Sequence, residues 1–166
     1  MSCAPFVQTP VEVAKKIVQL AGLKPGQVLF DLGAGDGRLV IIAAQEADVY
    51  AIGVELRGDL VERARSEIKR LNLGDRARII HGDLFNVSLK DADVITLYLT
   101  TSGNERLRPK LEAELKEGAR VISHDFKVGN WKPSIVHNEL VGHTIYAYNI
   151  GEQLHADQST SRPARL

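Results

Sequence analysis

A short apolar run that leads directly into a glycine-rich turn constrains the fold of this chain most strongly. Residues 27–32 have the composition of a buried strand, residues 31–38 read Asp-Leu-Gly-Ala-Gly-Asp-Gly-Arg, and residues 39–47 are apolar at helical spacing. The glycines permit a tight turn, and without β-carbons the backbone can approach a ligand closely. The pattern therefore predicts a strand, a glycine turn and a helix in direct succession.

Strands and helices continue to alternate as far as residue 123. Further apolar strands are predicted at residues 49–54, 78–81, 94–99 and 120–123. Helices are predicted over residues 60–71 and 104–115, and Pro109 is expected to delay or kink the second of them. Near the end, residues 135–141 and 144–150 predict an antiparallel pair joined by a tight turn at Gly142-His143. We therefore predict an α/β fold, a Rossmann-like, doubly wound, mostly parallel seven-stranded sheet with an antiparallel C-terminal hairpin.

The length of 166 residues suits a single domain, since domains commonly have about 100–200 residues. Thr9-Pro10-Val11-Glu12 has the pattern of a capping box and predicts a helix that starts at Pro10 and ends at Gly22. We expect residues 1–22 to form an N-terminal segment and helix that close over the ligand site, and residues 23–151 to form the core. Residues 152–166 are polar and are expected to be a disordered tail.

Composition and charge exclude several classes of function. The chain carries 21 basic and 21 acidic side chains, so no overall basic field favours nucleic acid or an anionic membrane. Cys3 is the only cysteine, which excludes internal disulfides and favours a cytoplasmic location. No apolar run reaches the about 18–20 residues of a membrane span, and the first residues are not expected to act as a secretory signal. We therefore expect no membrane partner and no direct binding of nucleic acid.

Acidic side chains follow three of the predicted strands. Asp31 ends the first strand, Glu55 follows the second and Asp83 follows the third. The carboxyl ends of parallel strands meet at one edge of a sheet, where ligands of doubly wound folds bind. The glycine spacing does not fit the dinucleotide fingerprint, because Arg38 or Val40 stands where a third glycine or alanine is needed. A nicotinamide or flavin site is therefore disfavoured.

The glycine turn and its carboxylates resemble the class I S-adenosylmethionine-dependent methyltransferases. The resemblance implies that Asp31 and Gly33 face the methionine part of the cofactor, S-adenosyl-L-methionine. It also implies that Glu55 binds the ribose hydroxyls and that Asp83 with Leu84 binds the adenine. The candidate cofactor-binding residues are Thr9, Pro10, Asp31, Gly33, Ala34, Gly35, Asp36, Glu55, Leu56, Gly82, Asp83 and Leu84.

Simpler interpretations remain open for several of these residues. A glycine turn of this kind could be structural or could bind another nucleotide. Glu55 and Asp83 could each cap a helix. Asp36 and Arg38 fit an adjacent surface ion pair as well as they fit a cofactor contact.

Longer stretches of the sequence resemble the archaeal Dot-type protein lysine methyltransferases. These stretches are residues 6–10, 31–38, 97–111 and 121–126, together with Trp131. The resemblance extends over about residues 6–151 and implies a small monomeric enzyme that methylates lysines of many proteins, including DNA-binding chromatin proteins. It also implies that Thr9 and Pro10, which the capping box already explains, close over the methionine end of the cofactor.

Lysine methylation requires an uncharged amine, because only the neutral form has a lone pair for attack on the methyl group. An apolar, aromatic channel lowers the pKa of a lysine from about 10.4 by desolvation, and the neighbouring sulfonium acts in the same direction. No dedicated general base is then required. Tyr98 and Phe126 also fit simple core positions. The candidate catalytic residues, as the lining of this channel, are Tyr98, Leu99, Thr100, Thr101, Phe126 and Trp131.

The dipeptide His124-Asp125 follows the fifth predicted strand and allows three interpretations. It could be an acid/base pair, a pair of ligands or plain polar surface. Residues 99–104, which follow the fourth predicted strand, lack the acidic side chains of a magnesium site. No metal is therefore expected.

The leading hypothesis is a protein-lysine methyltransferase of broad range, which could also modify its own Lys90, Lys110 or Lys127. The alternative enzyme is a methyltransferase that acts on a small molecule or on structural RNA. The chain has no Asn-Pro-Pro-Tyr motif and no Pro-Cys nucleophile, which excludes the base methyltransferases that use them. A third hypothesis is a cofactor-binding subunit without catalysis of its own, and the intact acceptor-side sequence disfavours it.

Overall fold

The computed structural model describes residues 6–159 of the protein. Within this range the helices are α1 (Val11–Ala21), α2 (Arg38–Glu46), α3 (Gly58–Arg70), α4 (Thr101–Glu114) and α5 (Ile150–Ser159). The strands are β1 (Val28–Leu32), β2 (Tyr50–Glu55), β3 (Ala77–His81), β4 (Val94–Leu97), β5 (Arg120–His124), β6 (Ile135–His137) and β7 (Ile145–Asn149). A 3₁₀ turn covers Leu84–Asn86. None of the helices within these residues combines the length and the hydropathy needed to traverse a bilayer.

The strands form one mixed sheet. Across the described residues its order is β3-β2-β1-β4-β5-β7-β6, with seven strands. The first five pair in parallel, β7 runs antiparallel to β5, and β6 runs antiparallel to β7. The predicted fold class is therefore confirmed. The order reverses between β1 and β4, and ligands of doubly wound sheets bind beside such a reversal.

Apolar side chains pack against both faces of the sheet. On one face Leu29 of β1 belongs to a cluster with the apolar sides of α1, α2 and α3. On the other face Phe30 and Leu32 belong to a cluster with α4 and the start of α5. Because both faces are covered, the central strands are apolar at successive positions rather than at alternate ones. This is why they are recognisable in the sequence as unbroken apolar runs.

Helix α1 begins without the predicted capping box. Pro10 occupies the N-cap position, and no side-chain hydrogen bond caps the helix there. The carbonyl oxygen of Thr9 instead accepts a hydrogen bond from Arg38 Nη1 at 2.9 Å. The capping-box prediction was wrong because Thr9 lies one residue before the N-cap position. At the other end Gly22, with a φ of 55°, terminates the helix as predicted.

Helix α4 begins at Thr101 rather than at the predicted residue 104. The Thr100 hydroxyl accepts a hydrogen bond from the Gly103 amide at 3.1 Å and so caps the first turn. Pro109 lies inside the helix and does not delay its start. Strand β4 correspondingly ends at Leu97, before the predicted residue 99.

The C-terminal region differs from its prediction in two ways. The antiparallel pair is confirmed, but its strands are short, and residues 138–144 connect them instead of a tight turn. The tail expected to be disordered from residue 152 is helical as far as Ser159, and residues 160–166 lie outside the described residues. The buried Gln153 side chain accepts from the Lys132 amide and donates to its carbonyl oxygen, each at 2.9 Å. These contacts, which the polar composition did not reveal, order the helix.

Gly53 in the middle of β2 tests how tightly the glycine turn packs on the sheet. A β-carbon there would lie 2.6 Å from Ala34 Cβ and 2.7 Å from Ile79 Cδ1. We expect Gly53→Ala to lower the free energy of unfolding in urea by about 1–3 kcal/mol, through overpacking. Gly74→Ala is the matched control, because nothing lies within 4 Å of a β-carbon at that position. Equal stability of the two variants would contradict the observed packing.

Candidate active site

A cleft opens at the carboxyl edge of the sheet, beside the reversal between β1 and β4. The space between its walls, open solvent at its mouth included, is about 980 Å³. Of the predicted cofactor residues, Pro10 does not line it. Those that do are Thr9, Asp31, Gly33, Ala34, Gly35, Asp36, Glu55, Leu56, Gly82, Asp83 and Leu84.

The glycine turn forms the floor of this cleft. Gly33, Gly35 and Gly37 all have positive φ angles, of 82°, 57° and 81°. The amides of Gly33 and Ala34 donate to the Val54 carbonyl oxygen at 2.8 and 3.0 Å, which ties the turn to the end of β2. Side chains with a β-carbon rarely adopt such angles, so the turn needs glycine at these positions.

Asp31 lies at the base of the cleft and is almost completely buried. Its Oδ1 accepts a hydrogen bond from the Thr96 hydroxyl at 2.7 Å. Burial raises the pKa of Asp31 to about 6, and the nearby Glu55 and Asp36 charges act in the same direction, while the Thr96 hydrogen bond opposes them. The site thus holds a carboxylate that a neighbouring cation would stabilise.

Glu55 connects the end of β2 with the glycine turn. Its Oε1 accepts from the Gly35 amide at 2.9 Å, and its Oε2 accepts from the Arg57 amide at 2.8 Å. Each carboxylate oxygen has a second lone pair. The side chain is therefore held in place and can still accept hydrogen bonds from a ligand.

Asp83 follows β3 and has a local structural role. Its Oδ1 accepts from the Phe85 amide at 2.9 Å, which caps the 3₁₀ turn Leu84–Asn86. The interpretation of Asp83 as a cap is confirmed. Because Asp83 and Leu84 also line the cleft, this role is compatible with a cofactor contact.

Asp36 and Arg38 form an ion pair at the wall of the cleft. Arg38 Nη2 donates to Asp36 Oδ2 at 2.6 Å, and Nε donates to Oδ1 at 3.0 Å. Hydrogen bonding by the guanidinium holds the pKa of Asp36 below its usual value. Since Arg38 also binds the Thr9 carbonyl oxygen, the pair fastens the N-terminal segment across the glycine turn. The ion-pair interpretation is confirmed, and the pair is partly buried rather than on the open surface.

The N-terminal segment covers part of the turn through Phe6. A β-carbon at Gly35 would lie 2.5 Å from Phe6 Cε2, so the ring occupies the space that only glycine leaves open. The Arg57 guanidinium lies 6.0 Å from the centroid of the same ring. Phe6 and Thr96 were not predicted as site residues. A single threonine in an apolar strand was the available signal for Thr96.

At the acceptor end of the cleft, the structure brings together only part of the predicted channel. Tyr98 and Leu99 line the cleft, whereas Thr100 and Thr101 start α4 and do not. Phe126 also lies outside the lining, with its ring centroid 6.4 Å from that of Tyr98. Phe126 therefore supports the Tyr98 ring rather than lining the cleft.

Trp131 is a core residue, which corrects its predicted place in the channel. It is buried, and its Nε1 donates to Glu112 Oε1 at 3.0 Å. Its ring meets the Tyr148 ring edge-on, with centroids 5.6 Å apart. These contacts place it in the cluster that packs against α4.

His124 lines the cleft beside Tyr98, and its side chain is fully buried. The two ring centroids are 3.9 Å apart. Burial lowers the pKa of His124 to about 4, while the Asp125 charge opposes the shift and His143 adds to it. Burial also raises the pKa of Tyr98, and Asp125 adds to that shift. At neutral pH this wall therefore presents an uncharged imidazole and a protonated phenol.

Residues 31–135 match the family described as the ANTKMT methyltransferase domain. The chain is 40% identical to a protein-lysine N-methyltransferase of Saccharolobus islandicus, over 89% of this chain and 94% of that relative. It is 34% identical to the adenine nucleotide translocase lysine N-methyltransferase of Mus musculus, of whose length it spans only 63%.

A solved structure extends this relationship to three dimensions. The crystal structure of an RNA methyltransferase from Salinibacter ruber in complex with S-adenosyl-L-homocysteine has a TM-score of 0.85 and 39% sequence identity. The similarity covers 96% of this chain and 99% of that one. The family match includes the glycine turn and all three carboxylates. The chain therefore belongs to the ANTKMT methyltransferase domain family, and it is an S-adenosylmethionine-dependent methyltransferase of the protein-lysine N-methyltransferase class.

Proposed function

We propose that this chain transfers the methyl group of S-adenosyl-L-methionine to lysine side-chain amines of proteins. The observation that carries the proposal is the 40% identity to the archaeal protein-lysine N-methyltransferase over 94% of its length. A match of that extent includes the acceptor side of the cleft as well as the cofactor side. The Dot-type assignment, made from the longer sequence stretches, is part of the same proposal.

The cleft fits this cofactor better than a phosphate-bearing nucleotide. Two arginines line it, and each is held by a carboxylate: Arg38 by Asp36 and Arg57 by Asp59. Both guanidinium groups are thus already paired with carboxylates, which disfavours a phosphate that relies on an arginine. An adenosyl sulfonium carries positive charge and ribose hydroxyls, which suit acceptors instead.

The proposed cofactor contacts follow from the positions of the carboxylates. Asp31 would face the ammonium group of the methionine part, since a cation compensates the cost of burying a charged carboxylate. Glu55 would accept hydrogen bonds from the ribose hydroxyls through its remaining lone pairs. Asp83 and Leu84 would contact the adenine. Close backbone or apolar contacts with the cofactor would come from four further residues that line the cleft, Ala34, Gly35, Leu56 and Gly82.

When bound, the cofactor supplies a methyl group on a positively charged sulfur. An entering lysine would first lose a proton to solvent, and its neutral nitrogen would then bond to the methyl carbon while the electrons of the C–S bond remain on sulfur. Tyr98, Leu99 and His124 form an uncharged wall at this end of the cleft. Such a wall lowers the pKa of an entering lysine by desolvation and favours the neutral amine.

We propose a broad range of substrates that includes small DNA-binding chromatin proteins and the chain itself. Within residues 6–159 the fold has no inserted domain over the mouth of the cleft, so a lysine on a large partner can enter. Lys90 and Lys127 are exposed and suit self-methylation. Lys110 does not, because Glu114 holds it in a partly buried ion pair. We further propose that the enzyme is cytoplasmic, which the single cysteine supports, and that it acts as a monomer.

Methylation of RNA is the second candidate function, because the Salinibacter ruber structure is described as an RNA methyltransferase. The balanced charge of this chain supports protein over RNA, since RNA binding depends on basic surface.

Incubation of the full chain with methyl-labelled cofactor separates the two candidates. The acceptors are small basic archaeal proteins and, in parallel, structured RNA. We expect label on lysine Nζ atoms, located by digestion and mass spectrometry, and none on RNA. Asp31→Asn should reduce transfer, whereas Asp48→Asn, at an exposed position, should not. Label on RNA alone, or label on no lysine, would contradict the proposal.

Asp31 predicts a specific dependence of stability on pH. Its folded-state pKa of about 6 exceeds the unfolded value of 3.8, so the folded state binds more protons between these values and this contribution to stability falls as pH rises. The difference corresponds to about 3 kcal/mol by pH 7. The pKa of His124 is lowered, so its contribution to stability changes with pH in the opposite direction. The contribution of Asp31 is therefore isolated as the free energy of unfolding of the wild type minus that of Asp31→Asn.

Urea unfolding of both proteins from pH 4 to pH 7 supplies that difference. We expect Asp31→Asn to gain stability relative to wild type as pH rises, and to bind the cofactor more weakly at pH 7. Parallel stability curves for the two proteins would show that Asp31 is not a strained buried carboxyl.

Glu55→Gln tests the proposed ribose contact. The substitution removes the charge and replaces one acceptor oxygen with a donor, which then faces a backbone amide. We expect cofactor affinity, measured by calorimetry, to fall by about 10- to 100-fold, the effect of losing hydrogen bonds to a charged group. Glu62→Gln, at an exposed position on α3, is the control and should bind as wild type does. Unchanged affinity in Glu55→Gln would refute the contact.

A further inference from the structure

Three potential metal ligands converge where β5 ends against the start of β7. His124 Nε2 lies 2.8 Å from His143 Nδ1 and 3.4 Å from Asp125 Oδ2. His143 Nδ1 lies 3.5 Å from the same carboxylate oxygen. These three ligand atoms thus form one compact triangle. None of the three residues is among the cofactor contacts proposed above.

The backbone holds this cluster in place. In the antiparallel register His124 pairs with Ile145, so the preceding residues of the 138–144 connection lie beside Asp125. The Asp125 amide donates to the Thr144 carbonyl oxygen at 2.7 Å, and the Thr144 amide donates to Asp125 Oδ1 at 2.9 Å. Asp125 also has a φ of 62°, in the left-handed region. Its second oxygen, Oδ2, is thereby directed at the two imidazoles.

The triangle has the dimensions of one face of a tetrahedral metal site. Zinc with bonds of about 2.0–2.1 Å to nitrogen and oxygen places its ligand atoms about 3.3 Å apart. The observed separations of 2.8, 3.4 and 3.5 Å surround that value. Two imidazoles and a carboxylate suit zinc and its neighbours in the first transition series, whereas Mg²⁺ and Ca²⁺ prefer oxygen ligands only.

We propose that His124 Nε2, His143 Nδ1 and Asp125 Oδ2 bind one divalent ion of the zinc type. Water or the Tyr98 hydroxyl, which lies 3.4 Å from Asp125 Oδ2, would supply the fourth ligand. The ion would join β5 to the 138–144 connection and fix the His124 ring, which lines the acceptor end of the cleft. The site is independent of the proposed acceptor, because binding needs neither cofactor nor lysine.

Titration of the metal-stripped full chain with Co²⁺ and with Zn²⁺ tests the site. We expect one ion per chain, with the visible absorption of four-coordinate cobalt, heat on adding zinc, and a higher unfolding temperature with zinc through binding to the folded state. Mg²⁺ should produce no temperature shift. These measurements contain no methyl acceptor, so they can fail or succeed separately from the methylation assay.

Variants locate the ion. His143→Ala and Asp125→Asn should each weaken zinc binding at least tenfold, and asparagine tolerates the left-handed backbone at position 125. Both residues are partly exposed, and unchanged cofactor binding will show that the variants fold. His155→Ala, at an exposed histidine bound to Glu117, and Cys3→Ser are the controls and should bind zinc as wild type does.

Absence of both the cobalt absorption and the zinc heat would overturn the site. So would zinc affinity that is retained in His143→Ala, or that is lost in Cys3→Ser, because the ion would then be bound elsewhere.

Discussion

The attachment of the glycine turn to the end of β2 is the constraint on which the site depends. Two amides of the turn donate to the Val54 carbonyl oxygen, and a third donates to Glu55. These bonds bring the ends of β1 and β2 together, so that Asp31 and Glu55 face one cleft. The left-handed glycines make this approach possible. A β-carbon at these positions would strain the turn and would clash with Phe6 or with α3.

The cleft has two electrostatic halves. The half built on β1, β2 and β3 presents carboxylates, one of them held in a buried position that a cation would stabilise. The half built on β4 and β5 presents Tyr98 and His124, which burial keeps uncharged at neutral pH. A cationic cofactor and a neutral amine place opposite demands on their surroundings, and the sheet separates these two environments along a single edge. This division supports methyl transfer to an amine more directly than any one side chain does.

Local sequence patterns predicted the fold and the part of the cleft built on β1, β2 and β3 well. They predicted the part built on β4 and β5 less well. Apolar runs and the glycine turn are encoded within short windows, so the sheet and the places of Asp31, Glu55 and Asp83 followed from them. Trp131 was misplaced because an aromatic residue in a loop has no periodicity that shows which face it packs on. The last helix was missed for a related reason: its polar sequence conceals Gln153, whose burial depends on the distant Lys132 backbone.

The sequence by itself determined the alternation of strands and helices as far as residue 123, the glycine turn and the acidic strand ends, because each depends on neighbouring residues. Only the tertiary structure decided what those residues meet. The pairing of Thr96 with Asp31 joins two strands, and the fastening of Thr9 by Arg38 joins the N-terminal segment to α2. The approach of His143 to His124 and Asp125 depends on antiparallel pairing of β5 with β7. Such contacts join segments far apart along the chain, and their partners are set by packing of the whole sheet rather than by local spacing.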